Sequence, residues 1–160
     1  MQRVTLISVG KLKERFYAEA AAEYVKRLGR YCRLTVVELP EERLPEAPSP
    51  AQVEAALEKE AGAIRDKLPP SATLVALCVE GRTRSSEELA RLMANWAGRG
   101  ENQLVFVIGG SFGLHGSIKA RAAERLSMSP MTFPHHLARV MLLEQIYRAY
   151  QINAGTQYHK

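Results

Sequence analysis

The sequence predicts an α/β protein with a mainly parallel sheet and helices on both faces. Three observations predict it. Strand-like and helical segments alternate five times along 160 residues. The two central strand segments, Thr73–Val79 and Leu104–Ile108, are almost wholly apolar, as strands covered on both faces must be. No repeat, linker or low-complexity stretch divides the chain, so residues 1–160 are expected to form one domain.

Each element has a local reason. Arg3–Val9 is β-rich and stops at Gly10. Lys13–Arg30 reads as a helix with Phe16, Ala20, Tyr24 and Leu28 on one stripe and Gly29 as its stop. Leu34–Leu39 is a second strand. Pro40 to Pro50, rich in proline and glutamate, is expected to be the most mobile loop. Ser49-Pro50-Ala51-Gln52 has the form of a capping box and opens a helix to about Lys67. Pro69-Pro70 breaks the chain before Thr73–Val79. Ser85-Ser86-Glu87-Glu88 caps the helix from Glu87 to about Trp96, and Leu104–Ile108 follows. A short helix is expected from Ile118 to about Arg125, then a strand or extended loop over Leu126–Pro134. The last helix spans about His136–Ile152, with Val140, Leu143, Tyr147 and Tyr150 on one stripe.

Composition narrows the function. The chain is 46% hydrophobic and 24% charged, as expected of a soluble globular protein. No apolar run is long enough for a membrane span, and the N-terminus is too polar for a signal peptide, so a cytoplasmic location is expected. Cys32 and Cys78 cannot form a disulfide framework. The four histidines have no zinc-type spacing, so no metal is expected. The net charge of +5 is unevenly spread: residues 1–33 hold eight basic and three acidic side chains, and residues 34–66 hold three and eight. Lys11, Lys13, Arg15, Lys26, Arg27, Arg30 and Arg33 form either a phosphate-binding cluster or a solvated helix face.

In open α/β folds ligands bind beyond the carboxyl ends of the strands. That places candidates at Leu77–Gly81 and in the glycine loop 109–116. The loop lacks the dinucleotide fingerprint and the Walker lysine, which disfavours both chemistries. It is either a close backbone approach to a ligand or a tight strand-to-helix turn. Met128–Phe133 is oddly apolar for a loop. It lines a flat pocket, such as one for adenine, or forms a core strand. Cys78 reads as an inert core thiol, and Glu144 with Arg148 as an i,i+4 brace.

Five stretches stand in order along the chain: Val9-Gly10-Lys11-Leu12-Lys13-Glu14; residues 107–114; Leu126 to His135; Arg139-Val140 followed by Glu144 to Ala149; and Tyr158-His159-Lys160. Together they resemble the ribosomal large-subunit RNA methyltransferase H family, one of the SPOUT methyltransferases. The resemblance covers essentially the whole chain. It implies a C-terminal trefoil knot, S-adenosylmethionine as methyl donor, and N3 of a pseudouridine in large-subunit (23S) ribosomal RNA as acceptor. It also implies a homodimer acting on the assembled ribosome. The cofactor site it implies uses Leu77, Gly109, Met128, Ser129, Pro130, Met131, Thr132 and Phe133. Its motifs make His159 and Arg139 the candidates for handling the acceptor proton or the developing charge, with Tyr158 positioning the base. Another RNA such as tRNA is the alternative substrate, and a non-catalytic ribosome-binding factor the alternative class.

Overall fold

The computed structural model describes residues 1–160. Ten elements alternate as expected: β1 (Arg3–Val9), α1 (Arg15–Leu28), β2 (Arg33–Leu39), α2 (Pro50–Asp66), β3 (Thr73–Thr83), α3 (Ser86–Gly98), β4 (Gln103–Ile108), α4 (Gly116–Arg121), β5 (Glu124–Ser127) and α5 (His135–Asn153). The five strands form one sheet in the order β2-β1-β4-β3-β5, and every pair is parallel. All the carboxyl ends therefore lie along one edge.

Side-chain alternation sends each strand's residues to two cores. Val4, Leu6, Val75, Leu104 and Phe106 meet α1, α3 and α5 on one face. Ile7, Val9, Leu74, Ala76, Val105 and Val107 meet α2 and α4 on the other. Both capping boxes form: Ser49 with Gln52, and Ser85 with Glu88. Helix α5 lies between α1 and α3, and no residue from His135 to Ile152 is fully exposed. The expected stripe of Val140, Leu143, Tyr147 and Tyr150 packs on the core, but so do Leu142, Ile146 and Ala149. A helix flanked on two sides has no single wet face.

Four expectations change. Phe16 does not join the core; it is 64% exposed, and Ala21 and Leu28 are the buried residues of α1. The four-residue spacing explains this, because each such step overshoots a 3.6-residue turn by about 40°, so the stripe spirals off the sheet. The short helix ends at Arg121. Ala123 N–H already donates to Leu74 O (2.8 Å), and Glu124 and Arg125 pair with β3 as part of β5. The Arg84–Glu124 ion pair (2.5 Å), both side chains mostly buried, fastens that edge. Strand β3 runs past Val79 to Thr83, but its ladder is broken: Leu77 and Arg82 both pair with Leu126. Residues 78–81 bulge out between them. At Gly81 a Cβ would stand 2.7 Å from Arg125 O, so the bulge folds only without a side chain there. The 40–50 loop, finally, is tethered at its start, because Glu60 Oε2 on α2 accepts from Glu42 N–H (2.9 Å).

Burial raises the Glu60 carboxyl above its ordinary range; Glu41 and Glu42 add to the shift, and the bond from Glu42 N–H opposes it. An acid raised on folding destabilises the fold while ionised. That cost is present above the folded pKa and gone below the ordinary carboxylate value of about 4.3. Glu60→Gln keeps an acceptor for Glu42 N–H. It is therefore expected to raise the thermal midpoint at pH 7 to 8, with the gain vanishing near pH 4 in a melting series. Ile146→Ala, at a fully buried site in α5, should cost about 2–5 kcal/mol in denaturant unfolding.

Candidate active site

The sheet's carboxyl edge carries a cavity of about 660 Å³. That volume falls within the usual range for small-molecule sites, about 300–1,000 Å³. Three segments build it. The bulge of β3 supplies Leu77 to Glu80, the turn after β4 supplies Gly109 to Leu114, and the stretch after β5 supplies Met128, Ser129, Met131, Thr132 and Phe133.

The glycine turn is set by backbone contact. Gly113 N–H donates to Gly110 O (3.1 Å), and Gly113 has φ +81°, a conformation that favours glycine. A Cβ on Gly109 would collide with the Gly113 carbonyl. Both residues are therefore required by the turn itself, and the turn leaves backbone groups lining the cavity. Behind it, Ser111 N–H donates to Glu41 Oε1 (2.7 Å). The Met128–Phe133 stretch is no core strand. Ser127 Oγ donates to Ser129 O (3.0 Å) and Met131 N–H donates to Ser129 Oγ (3.0 Å), which coils the chain back on itself. Met131 is 72% exposed and Phe112 50%. Large apolar side chains left open at the mouth of a cavity suit a flat ligand that covers them.

Seven of the eight expected cofactor residues line this cavity: Leu77, Gly109, Met128, Ser129, Met131, Thr132 and Phe133. Pro130 is exposed and is not among its lining residues. Cys78 is half-buried on the cavity wall and is not a core thiol as expected; burial raises its pKa, so the thiol stays protonated at neutral pH. His135 also lies on the wall, and burial with His136 alongside lowers its pKa. The sequence pointed to Leu77–Gly81 by its place at a strand end. Phe112 lies in the flagged glycine loop and His135 closes the 126–135 stretch, whereas Lys119 had no such signal.

Arg139, Tyr158 and His159 do not line the cavity of their own chain. Arg139 is buried on α5, donating to Glu38 Oε2 (2.6 Å) and Gly10 O (3.0 Å). The tail folds onto α3 and α5. Arg148 pairs with Glu144 (2.8 Å), lies 4.8 Å from the Tyr158 ring centroid and reaches His159 Nδ1 (3.1 Å). Arginine only donates, so Nδ1 accepts, and Nε2–H donates to Glu87 Oε1 (2.7 Å). In that arrangement the ring hydrogen sits on Nε2. Tyr158 donates to Glu144 Oε1 (3.1 Å), and burial with this bond raises its pKa. The expected brace of Glu144 and Arg148 thus also holds the tail.

The basic cluster divides in space. Lys11, Lys13 and Arg15 stand where β1 ends, at the cavity edge of the sheet, whereas Lys26, Arg27, Arg30 and Arg33 fall at the far end of α1 or beyond it. Arg15 and Arg27 are paired along the helix with Glu19 and Glu23. No group of three or more His, Cys, Asp or Glu side chains is placed to hold a metal ion. No helix is long and apolar enough to cross a membrane.

The fold has solved counterparts. A probable methyltransferase from Bordetella pertussis Tohama I matches with TM-score 0.57 at 17% identity, over 93% of this chain and 96% of that one. A methylase family protein from Neisseria gonorrhoeae matches with TM-score 0.52 at 19% identity, over 99% and 85%. A probable methylase family protein from Haemophilus influenzae Rd KW20 matches with TM-score 0.50 at 13% identity, over 99% and 70%. At these identities the likeness shows the fold. The family is shown by a sequence model described as predicted SPOUT methyltransferase, which matches residues 2–159. S-adenosylmethionine is the methyl donor in that family, and the turn at Gly109, the apolar 128–133 stretch and the cavity's size fit it. This chain belongs to the SPOUT methyltransferases.

Proposed function

We propose that the chain methylates N3 of a pseudouridine in large-subunit ribosomal RNA, acting on the assembled ribosome as a homodimer. One observation carries the homodimer in this reading: on the cavity wall the groups able to take the acceptor proton are His135 and Glu80, the latter paired with Lys119, and the tail that bears His159 lies elsewhere in the same chain. A second copy brings its tail to this cavity. A groove of about 650 Å³ between α1, β2 and α5 supports such pairing; Ala18, Ala22, Val25 and Val36 line it and Arg139 borders it. Burial of such an apolar face is what a symmetric dimer interface offers. Lys11, Lys13 and Arg15 supply charge for RNA phosphates near the cavity. The knot belongs to the same reading, because the chain passes from β4 beyond β3 to β5 and then returns as α5.

Bound S-adenosylmethionine supplies an electrophilic methyl group on a sulfonium. The remaining work falls to the chain. The glycine turn and the 128–133 stretch hold the nucleoside, and alignment of this kind contributes up to about 7–11 kcal/mol in favourable cases. For N3 to accept that methyl group, the acceptor N3–H would have to give up its proton to a base. His159, which Arg148 and Glu87 hold in place on the tail, is the candidate base. Arg139 is the cation assigned to the negative charge that develops on the ring, and Tyr158 positions the base.

His159→Ala is expected to abolish methyl transfer and to leave donor affinity within about two-fold, measured by calorimetry beside a turnover assay. Wild-type turnover in that variant removes the residue from the mechanism. Light scattering should return twice the 17.8 kDa chain mass, and a fully active monomer contradicts the shared site. The substrate is tested by methyl transfer to intact ribosomes, free large subunits and tRNA, with nucleoside mass spectrometry. Label on N3 of a ribosomal pseudouridine is the expected result, and label on tRNA alone rejects it.

A further inference from the structure

The cavity is nearly free of charge. Among the residues that line it, Glu80 and Lys119 alone belong to the Asp, Glu, Lys and Arg types. There is one of each sign, and Lys119 Nζ lies 2.5 Å from Glu80 Oε1. Their positions follow from separate features of the fold. Glu80 stands on the β3 bulge, which Gly81 permits and which lifts it out of the ladder with β5. Lys119 follows Ile118, the buried residue that anchors α4 in the second core. Both side chains remain partly open to solvent, 56% for Glu80 and 26% for Lys119.

The donor has the matching distribution of charge. Its adenosine is neutral, its sulfonium carries one positive charge, and its amino-acid end carries the one ammonium and one carboxylate that a pair of opposite sign can match. We infer that Glu80 and Lys119 bind that zwitterionic end, Lys119 receiving the carboxylate and Glu80 the ammonium. The inference rests on the reading of this cavity as the cofactor site and extends it to two residues that no motif marks. Without ligand the pair satisfies itself, which keeps both charges at the wall. With ligand each group exchanges one partner for another of the same sign, so little charge is uncovered. The Lys119 bond holds the Glu80 carboxyl below its ordinary pKa, and Arg125 adds to that. Glu80 is therefore ionised at neutral pH, where the donor's ammonium is charged too. A solvent-exposed bridge that merely braces the bulge contributes little to stability.

The test uses the full chain and three ligands: S-adenosylmethionine, S-adenosylhomocysteine and 5′-methylthioadenosine, which lacks the amino-acid end. Calorimetry should show Lys119→Met and Glu80→Gln each losing about 10-fold in affinity for the first two, about 1.4 kcal/mol. Affinity for methylthioadenosine should stay within about two-fold of wild type, which also reports that the cavity is folded. Equal losses on all three ligands, or no loss on any, overturn the inference. The exchange of both charges, Glu80→Lys with Lys119→Glu, preserves a bridge, and recovery of wild-type donor affinity would assign the pair to bracing and overturn it too. A wild-type chain that binds methylthioadenosine as tightly as the full donor rejects the inference alone. One that binds none of the three rejects the cofactor site and the inference with it.

Discussion

The contact between Gly109 and the Gly113 carbonyl governs the rest of the site. Two backbone segments meet there at a separation that no side chain at position 109 permits. Because they meet, the chain leaving β4 turns sharply at the sheet's edge, and the cavity opens between that turn, the β3 bulge and the returning 128–133 stretch. The turn is supported from behind by Glu41, whose carboxylate takes the Ser111 N–H, and Glu42 is in turn held by Glu60 on α2. The cavity wall thus connects through two hydrogen bonds to a helix on the sheet's second face.

A second constraint is the broken ladder between β3 and β5. A continuous parallel strand would keep residues 78–81 in the sheet, with alternate side chains facing the two cores. The skip from Leu77 to Arg82 opposite Leu126 moves Cys78, Val79 and Glu80 into the cavity wall. This explains how a largely apolar strand comes to offer a thiol and a carboxylate to a ligand. The Arg84–Glu124 pair, almost hidden from solvent, closes the same edge just beyond the bulge.

Charge is used sparingly. The cavity wall is mostly backbone and apolar side chains, with one ion pair. The denser charged network lies on α3, α5 and the tail, where Arg148 touches Glu144, Tyr158 and His159. The proposed function thus separates nucleoside binding from proton handling within one chain. A neutral wall suits an uncharged adenosine, whereas a base needs its tautomer fixed by partners. Arg139, tied to Glu38 and Gly10, joins α5 to the carboxyl ends of β1 and β2.

The order of strands and helices was legible in the sequence, because hydrophobic period and capping boxes are local signals. Ser49 with Gln52 and Ser85 with Glu88 place two helix starts within a residue. The apolar runs before Ala76 and Ile108 mark strands buried on both faces. The glycine loop and the 128–133 stretch were visible as anomalies of composition, and the motif resemblance joined them to one ligand. What depended on long-range pairing was not legible. The strand character of Glu124 and Arg125, the bulge at 78–81 and the Glu80–Lys119 pair each depend on which distant segment lies alongside. Local sequence determined the elements because backbone preference and burial pattern act over a few residues. The tertiary structure alone decided the register between β3 and β5, and with it which side chains face the cavity, because register is settled by packing across the sheet.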